Sequence, residues 1–162
     1  MKYFFFSLEG ESFWLEAEKD IVLRQIIQQA DGHFLVSCRD DCLSESSLEE
    51  EDLDLLQVIS AEVFEAVWKD AIAPFSSIWK QEKENYPIGT ELTGKLLYFY
   101  PQGVIFSVGK IQGCANEESY FQTIESAHRY PGNSIHGIVS EYDEQNMWIK
   151  IICCPENQTC HF

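Results

Sequence analysis

The second half of the chain is organised around Gly103-Val104-Ile105-Phe106-Ser107-Val108-Gly109, an apolar strand bounded by glycines. A partly alternating segment, Glu91 to Pro101, precedes it, and a third apolar run, Ile111 to Ala115, follows. After a looser stretch, Ser134 to Tyr142 and Asn146 to Ile152 form a predicted hairpin through an acidic turn. Five strands with a helical or irregular insertion after the third have the element order of an OB barrel. The sequence therefore predicts a five-stranded OB-like β-barrel in the C-terminal half.

The glycines of this half carry a family resemblance. They stand at Gly89, Gly94, Gly103, Gly109 and Gly113, and the later segments Pro131 to Val139 and Asp143 to Ile151 follow in matching order. Over residues 87–152 this pattern resembles the RNA-binding OB repeat of the largest small-subunit ribosomal protein. The resemblance implies an OB barrel more strongly than it implies RNA binding, because one fold serves many functions.

Positions that contact RNA in that family carry other residues here. The resemblance places stacking aromatics at Gln102 and Ile105 and a histidine at Asn116. Glu117 and Glu118 add negative charge beside the same face. Each lost base-stacking contact forgoes about 1–3 kcal/mol of binding energy. The resemblance therefore implies a retained fold with an eroded RNA face.

The first half predicts a small antiparallel sheet with one or two helices. Two hairpins are indicated, one turning at Glu9-Gly10-Glu11 and one at Asp31-Gly32. Ser60 is a predicted helix N-cap, and apolar residues recur after it at helical spacing. Pro74 ends or kinks that helix, and the charged segment 80–85 is expected to be an exposed linker.

Negative charge is concentrated in the first half. The 162 residues carry 11 basic and 27 acidic side chains, a formal net charge of -16. Residues 1–86 hold 7 basic and 19 acidic side chains, whereas residues 87–162 hold 4 and 8. We therefore predict an α+β chain of two domains, an acidic α+β module at 1–86 and an OB-fold barrel with a short C-terminal tail at 87–162. The charge argues against a protein that mainly grips phosphate backbones, and no apolar run reaches the roughly 18 residues of a membrane span.

The first residues, the cysteines and the histidines indicate where the protein is located and what chemistry it can carry out. The apolar opening, Met1 to Leu8, is short for a secretion signal and is followed at once by Glu9 and Glu11. A cytoplasmic location is therefore expected, with the six cysteines as reduced thiols. The cysteines lack the paired spacing of a zinc site, and the four histidines stand in no catalytic motif. The sequence predicts no enzyme, no metal and no cofactor.

A binding role remains, with a basic protein as the expected partner and no membrane. In charge and size the chain is similar to small acidic bacterial immunity proteins, which neutralise basic nuclease toxins by covering their active sites. The expected partner-binding residues are Asp40, Asp41, Glu49, Glu50, Glu51, Asp52 and Asp54. The alternative is a single-stranded RNA-binding or ribosome-associated OB module, with contacts at Lys95, Tyr98, Tyr100, Trp148 and Lys150. A structural subunit of a larger assembly is a third interpretation.

Overall fold

The structure, a computed structural model, describes residues 1–44, 47–48 and 56–155. The chain divides into two compact units, Met1–Ser76 and Ser77–Phe162, and each is described by itself. The division lies before the charged segment 80–85 and not at residues 86 and 87. That segment is helical and packs against side chains of the barrel, so it is not an exposed linker.

The first unit is built on a five-stranded antiparallel sheet. Its strands are β1 (Lys2–Leu8), β2 (Glu11–Glu18), β3 (Ile21–Gln28), β4 (Phe34–Val36) and β5 (Gln57–Val58). Their order across the sheet is β4-β3-β2-β1-β5. The turn between β1 and β2 has positive φ at both Glu9 (53°) and Gly10 (88°), the geometry of a tight type I′ hairpin. The sequence predicted four of these strands; β5 is two exposed residues long and has no apolar pattern to reveal it.

Helix α1 (Ala61–Ile72) packs on this sheet. The Ser60 hydroxyl accepts a hydrogen bond from the Val63 amide at 3.4 Å, which confirms the predicted N-cap. The helix buries Phe64, Trp68, Ala71 and Ile72, and Pro74 stands in the 3₁₀ turn that follows it. Val63, in the first turn of the same helix, is exposed.

A buried arginine lies at the centre of the first unit. Arg24 on β3 pairs directly with Glu16 on β2, and its guanidinium donates to both Glu16 and Glu65 of α1. The guanidinium carbon also lies 4.8 Å from the Phe64 ring centroid and 4.9 Å from that of Trp68. The Arg24 side chain is only 2% exposed. A buried charge costs several kcal/mol unless it is paired, so removal of one partner from this network is expected to destabilise the unit.

The second unit opens with helix α2 (Ser76–Asn85), which covers the segment predicted as a linker. The Trp79 indole N–H donates to the Glu144 carboxylate at 2.8 Å, and the Lys83 ammonium pairs with the same carboxylate at 2.7 Å. The Trp79 and Tyr142 rings meet edge to face, with centroids 5.9 Å apart. These contacts attach α2 to the strand and turn that carry Tyr142 and Glu144.

Five strands then close into an OB-like barrel, which confirms the predicted fold class. They are β6 (Glu91–Tyr100), β7 (Gly103–Val108), β8 (Ile111–Ala115), β9 (Ser134–Asp143) and β10 (Trp148–Cys153). Their order around the barrel is β10-β8-β7-β6-β9, and β8 and β10 are parallel. Helix α3 (Glu117–Thr123) occupies the insertion between β8 and β9. No helix in the described ranges is long and apolar enough to cross a membrane.

Phe106 fills the barrel interior. It is completely buried on β7, and its ring lies over Gly94 on β6 and Gly113 on β8. A Cβ atom at either glycine would overlap this ring. Glycine is therefore required at both positions because a large aromatic ring takes the space that their side chains would need.

Candidate functional site

The two acidic clusters predicted to bind a partner differ in how far the structure describes them. Asp41 is exposed, whereas Asp40 uses its carboxylate to accept the Val36 amide at 2.8 Å and so shapes the turn after β4. The larger cluster lies outside the described residues: Glu49, Glu50, Glu51, Asp52 and Asp54. Of the seven predicted residues, Asp40 and Asp41 are thus the two that the structure describes, and Asp41 is the exposed one.

The described residues on either side of the larger cluster are attached to the first sheet. The Leu48 amide donates to the Asp20 carbonyl at 2.8 Å, beside the turn between β2 and β3. On the other side, Gln57 and Val58 pair with Phe5 and Phe4 of β1.

The five residues of the RNA alternative share the outer face of the barrel. Lys95 of β6 pairs with Ser107 of β7. Tyr98 of β6 pairs with Ile105, which lies two residues before Ser107 on β7. Simple alternation would separate Lys95 from Tyr98, but a bulge between Leu96 and Tyr98 shifts the register by one residue. Tyr100 follows Tyr98 on the same face, with ring centroids 4.7 Å apart.

The other two members of this face lie on β10. Lys150 pairs with Cys114 of β8, which in turn pairs with Ile105 of β7. Two positions before Lys150, the Trp148 ring lies 6.5 Å from that of Tyr100. The tertiary structure therefore brings together Tyr100 and Trp148, which are 48 positions apart in the sequence.

Burial limits what this outer face can bind. Tyr100 and Trp148 are buried and Tyr98 is half-buried, whereas a base must reach an open ring face to stack. Lys150 donates to Glu141 at 2.6 Å, and this hydrogen bond raises the pKa of Lys150. Asn116, where the resemblance to the ribosomal repeat predicted a histidine position, caps helix α3 by accepting the Ser119 amide at 2.9 Å. Its side chain therefore has a structural role.

A second group of aromatic rings lies at one end of the barrel, and the sequence did not single it out. After the bulge in β6, Phe99 pairs with Val104 and turns toward the interior side, where it meets Tyr120 of α3 at 5.9 Å. The Phe121 ring is nearly parallel to that of Phe99, at 7° and 6.3 Å. Tyr120 is buried, whereas Phe99 remains 45% exposed and Phe121 40% exposed. These two exposed rings are called the barrel-end patch below.

Arg129 lies against this patch. Its guanidinium is 4.9 Å from the Phe121 ring centroid. It donates to the carbonyl oxygens of Ile124 and Phe121, each at 2.8 Å, at the C-terminal end of α3. A cation at a helix C-terminus satisfies carbonyls that have no helical partner. Phe121 thus already holds one guanidinium against its ring, which is a favourable cation–π arrangement.

Two of the four histidines line one cavity of about 400 Å³ in the second unit. His128 and His136 are eight positions apart in the sequence and come together beside Glu125 and Asn133. The His136 Nδ1 atom shares a hydrogen bond with the Thr93 hydroxyl at 3.0 Å, and its Nε2 atom lies 3.9 Å from a Glu91 carboxylate oxygen. Both ring nitrogens of His136 are therefore directed at protein groups. The described residues contain no group of three or more His, Cys, Asp or Glu side chains arranged to hold a metal ion.

The buried cysteines are poor nucleophiles. Burial raises the pKa of Cys114 to about 12 and that of Cys153 to about 11. Burial also raises the pKa of Cys38, and this outweighs the opposing effect of neighbouring Arg39. Because the thiolate is the reactive form, these groups are unreactive at neutral pH. Cys154 is disulfide-bonded, so the expectation of six reduced thiols does not hold at that position.

These raised pKa values predict that the protein loses stability in alkaline solution. Unfolded thiols release their protons near pH 8.5, whereas Cys114 and Cys153 keep theirs until about pH 12 and 11. Above the unfolded pKa the unfolded state binds fewer protons, so the free energy of unfolding falls as pH rises. Urea unfolding at about pH 8 and pH 10 should show this fall. A Cys114→Ala, Cys153→Ala variant should show a smaller fall; an equal one would contradict the prediction.

Comparison with known proteins assigns no function to these surfaces. No protein-family model, curated protein or solved structure matches the chain. The similarities to the ribosomal repeat and to immunity proteins therefore stay predictions.

Proposed function

We propose that this chain is a non-catalytic binding protein for a basic macromolecule, working in the cytoplasm as an inhibitor of the immunity type. Its partner would be a basic protein such as a nuclease toxin, whose active site it covers. One observation carries the proposal: residues 1–76 hold 5 basic and 17 acidic side chains, a net charge of -12 in one compact unit.

The distribution of ion pairs supports the same function. Of the five basic residues in this unit, Arg24 is committed to Glu16 and Glu65 in the interior. Exposed carboxylates of the same unit include Glu9, Glu18 and Asp41. A surface of one sign raises the rate of association with an oppositely charged partner by about 10–10³-fold at low salt. Carboxylates also offer a basic nuclease site a substitute for substrate phosphates.

Charge reversal in the acidic cluster tests this function. Co-production with a panel of basic nuclease domains, read as rescue of bacterial growth, would identify the partner. We expect replacement of Glu49, Glu50, Glu51, Asp52 and Asp54 by lysine to slow association with that partner at least about tenfold at low salt. Stopped-flow mixing at several salt concentrations measures the rate.

A matched pair of variants separates local from overall charge. Glu50→Lys with Glu51→Lys changes the net charge by the same amount as Glu84→Lys with Glu91→Lys, which alters the second unit. The first pair should slow association more than the second. An unchanged on-rate at low salt, or failure of every basic nuclease to be neutralised, would overturn the proposal.

Single-stranded RNA binding by the barrel is the second candidate. It is favoured by the common face of Lys95, Tyr98 and Tyr100, which the β6 bulge creates. Fluorescence anisotropy with labelled single-stranded RNA at about 50 and 200 mM salt tests it, because several phosphate contacts give a steep salt dependence. Micromolar or tighter binding with such a dependence would place this candidate first.

A further inference from the structure

We infer that the barrel-end patch is a docking site for a basic polypeptide that places an apolar anchor side chain on Phe99 and Phe121. The inference rests on the proposed function and adds a second contact surface to it, within the second unit. Phe99 lies on strand β6 and Phe121 on helix α3, and their large aromatic neighbours are enclosed: Phe106 is fully buried and Tyr120 nearly so. Phe99 and Phe121, by contrast, are 45% and 40% exposed.

Another exposed aromatic residue follows Arg129 in the sequence. Tyr130, which follows Arg129 directly, is 64% exposed. Aromatic residues and arginine are enriched at protein interfaces and supply most of the residues whose truncation costs the most binding energy. Phe99, Phe121, Arg129 and Tyr130 are all of these types.

Carboxylates beside the patch indicate the charge of the partner. Glu117 and Glu118 stand four and three positions before Phe121 on α3, so they share its side of the helix. Glu125 follows the helix. All three are exposed, and within the described part of the chain none of them pairs with a cation. Arg129 offsets only one of the three charges, and its donors are partly used by backbone carbonyls.

An apolar centre with an acidic border is complementary to a basic polypeptide. Lysine or arginine side chains flanking the anchor would approach Glu117 and Glu118, and a guanidinium could lie on the open ring area as Arg129 already lies on Phe121. The same border opposes nucleic acid, because phosphates would meet three carboxylates. The patch therefore favours a basic protein over RNA.

A peptide titration of the full-length protein tests this inference. The probe is a short fluorescein-labelled peptide in which lysines and arginines flank a central Trp-Leu pair, and its control has Ser-Ser at the centre. We expect the anchored peptide to bind at least about tenfold more tightly than the control. Its unlabelled form should shift ¹⁵N-amide resonances of residues 117–130.

Variants connect the binding to the patch. Phe121→Ser should weaken the anchored peptide at least about tenfold, whereas Ile88→Ser should not, since Ile88 is an exposed apolar residue (61%) of the same unit. Glu117→Lys with Glu118→Lys changes only exposed side chains and should also weaken binding. This charge-reversal variant still tests the docking site if Phe121→Ser perturbs the fold.

The outcomes separate this inference from the proposed function. Resonance shifts confined to residues 1–76, or equal peptide affinity of the wild type and all variants, would overturn the docking site. The proposed function, in which the acidic first unit binds a basic partner, would still stand. No shift anywhere with either peptide would overturn the docking site, while the nuclease panel decides the proposed function independently. Shifts at residues 117–130 with a single-stranded RNA and not with the anchored peptide would assign the patch to RNA and overturn the inference.

Discussion

Replacing Arg24 with methionine should destabilise the first unit by about 3–5 kcal/mol. The substitution keeps an unbranched side chain of similar length, so the main change is the loss of charge. Glu16 is buried beside Arg24 on the neighbouring strand and would be left as an uncompensated carboxylate. Glu65 is partly exposed and could turn to water, so Glu16 is the main source of the cost.

A second variant distinguishes a lost charge pair from lost packing. Arg24→Met combined with Glu16→Leu removes both buried charges, and apolar replacement of a whole buried pair is often neutral. We therefore expect the double variant to recover much of the stability that the single variant loses. Tyr3, which hydrogen-bonds Glu16, is half-buried and can use water instead.

Urea unfolding followed by the amide resonances of Val22 and Ile26 measures this effect within the first unit. Both residues are buried on the strand that carries Arg24. A loss below about 1 kcal/mol for Arg24→Met would show that the pair is not essential. A double variant as unstable as the single one would point to packing against Phe64 and Trp68 as the dominant contribution.

Replacing Phe106 with alanine should cost the barrel about 3–5 kcal/mol, the range for a fully buried aromatic ring. The ring is completely buried, and its neighbours Gly94 and Gly113 have no side chains that could move into the vacated space. The cavity would therefore persist, which makes the loss larger than the transfer free energy of the ring alone.

The opposite change tests the same packing. Gly113→Ala places a Cβ where the Phe106 ring lies and 2.6 Å from the Ile149 carbonyl oxygen, so it should also destabilise the barrel. Combining Gly113→Ala with Phe106→Leu should relieve the ring overlap but not the carbonyl contact, giving partial recovery. Urea unfolding followed at Ile135 and Ile149 measures each variant. Additive losses would contradict a shared cause.

Much of the fold could be predicted from local sequence. The apolar stretch Gly103–Gly109 and the runs on either side of it predicted a five-stranded barrel, which the structure confirms. The N-cap role of Ser60 and the turn role of Gly10 could also be predicted from local sequence, because each residue acts on backbone groups within a few positions. The segment 80–85 was wrongly predicted as a linker: its charged residues resemble a solvated loop, and the helix there is stabilised by Glu144 and Tyr142, about sixty positions away.

The binding residues were harder to predict from local sequence than the fold was. The net charge of -16 and its concentration in the first half depend on composition alone, and so did the expectation of a basic partner. The face shared by Lys95, Tyr98 and Tyr100 depends on a bulge, which forms only when β6 pairs with β7. Alternation with a period of two cannot reveal one extra residue in a strand.

The sequence by itself thus determined the two-part organisation, the five-stranded barrel and the acidic character, because hydrophobic period, turn residues and charge are properties of neighbouring positions. Only the tertiary structure decided that Arg24 is buried between Glu16 and Glu65. It also decided that Phe99 meets Phe121 at the end of the barrel. Both arrangements join elements distant in the chain, and their energies come from pairing, burial and packing that exist only once those elements meet.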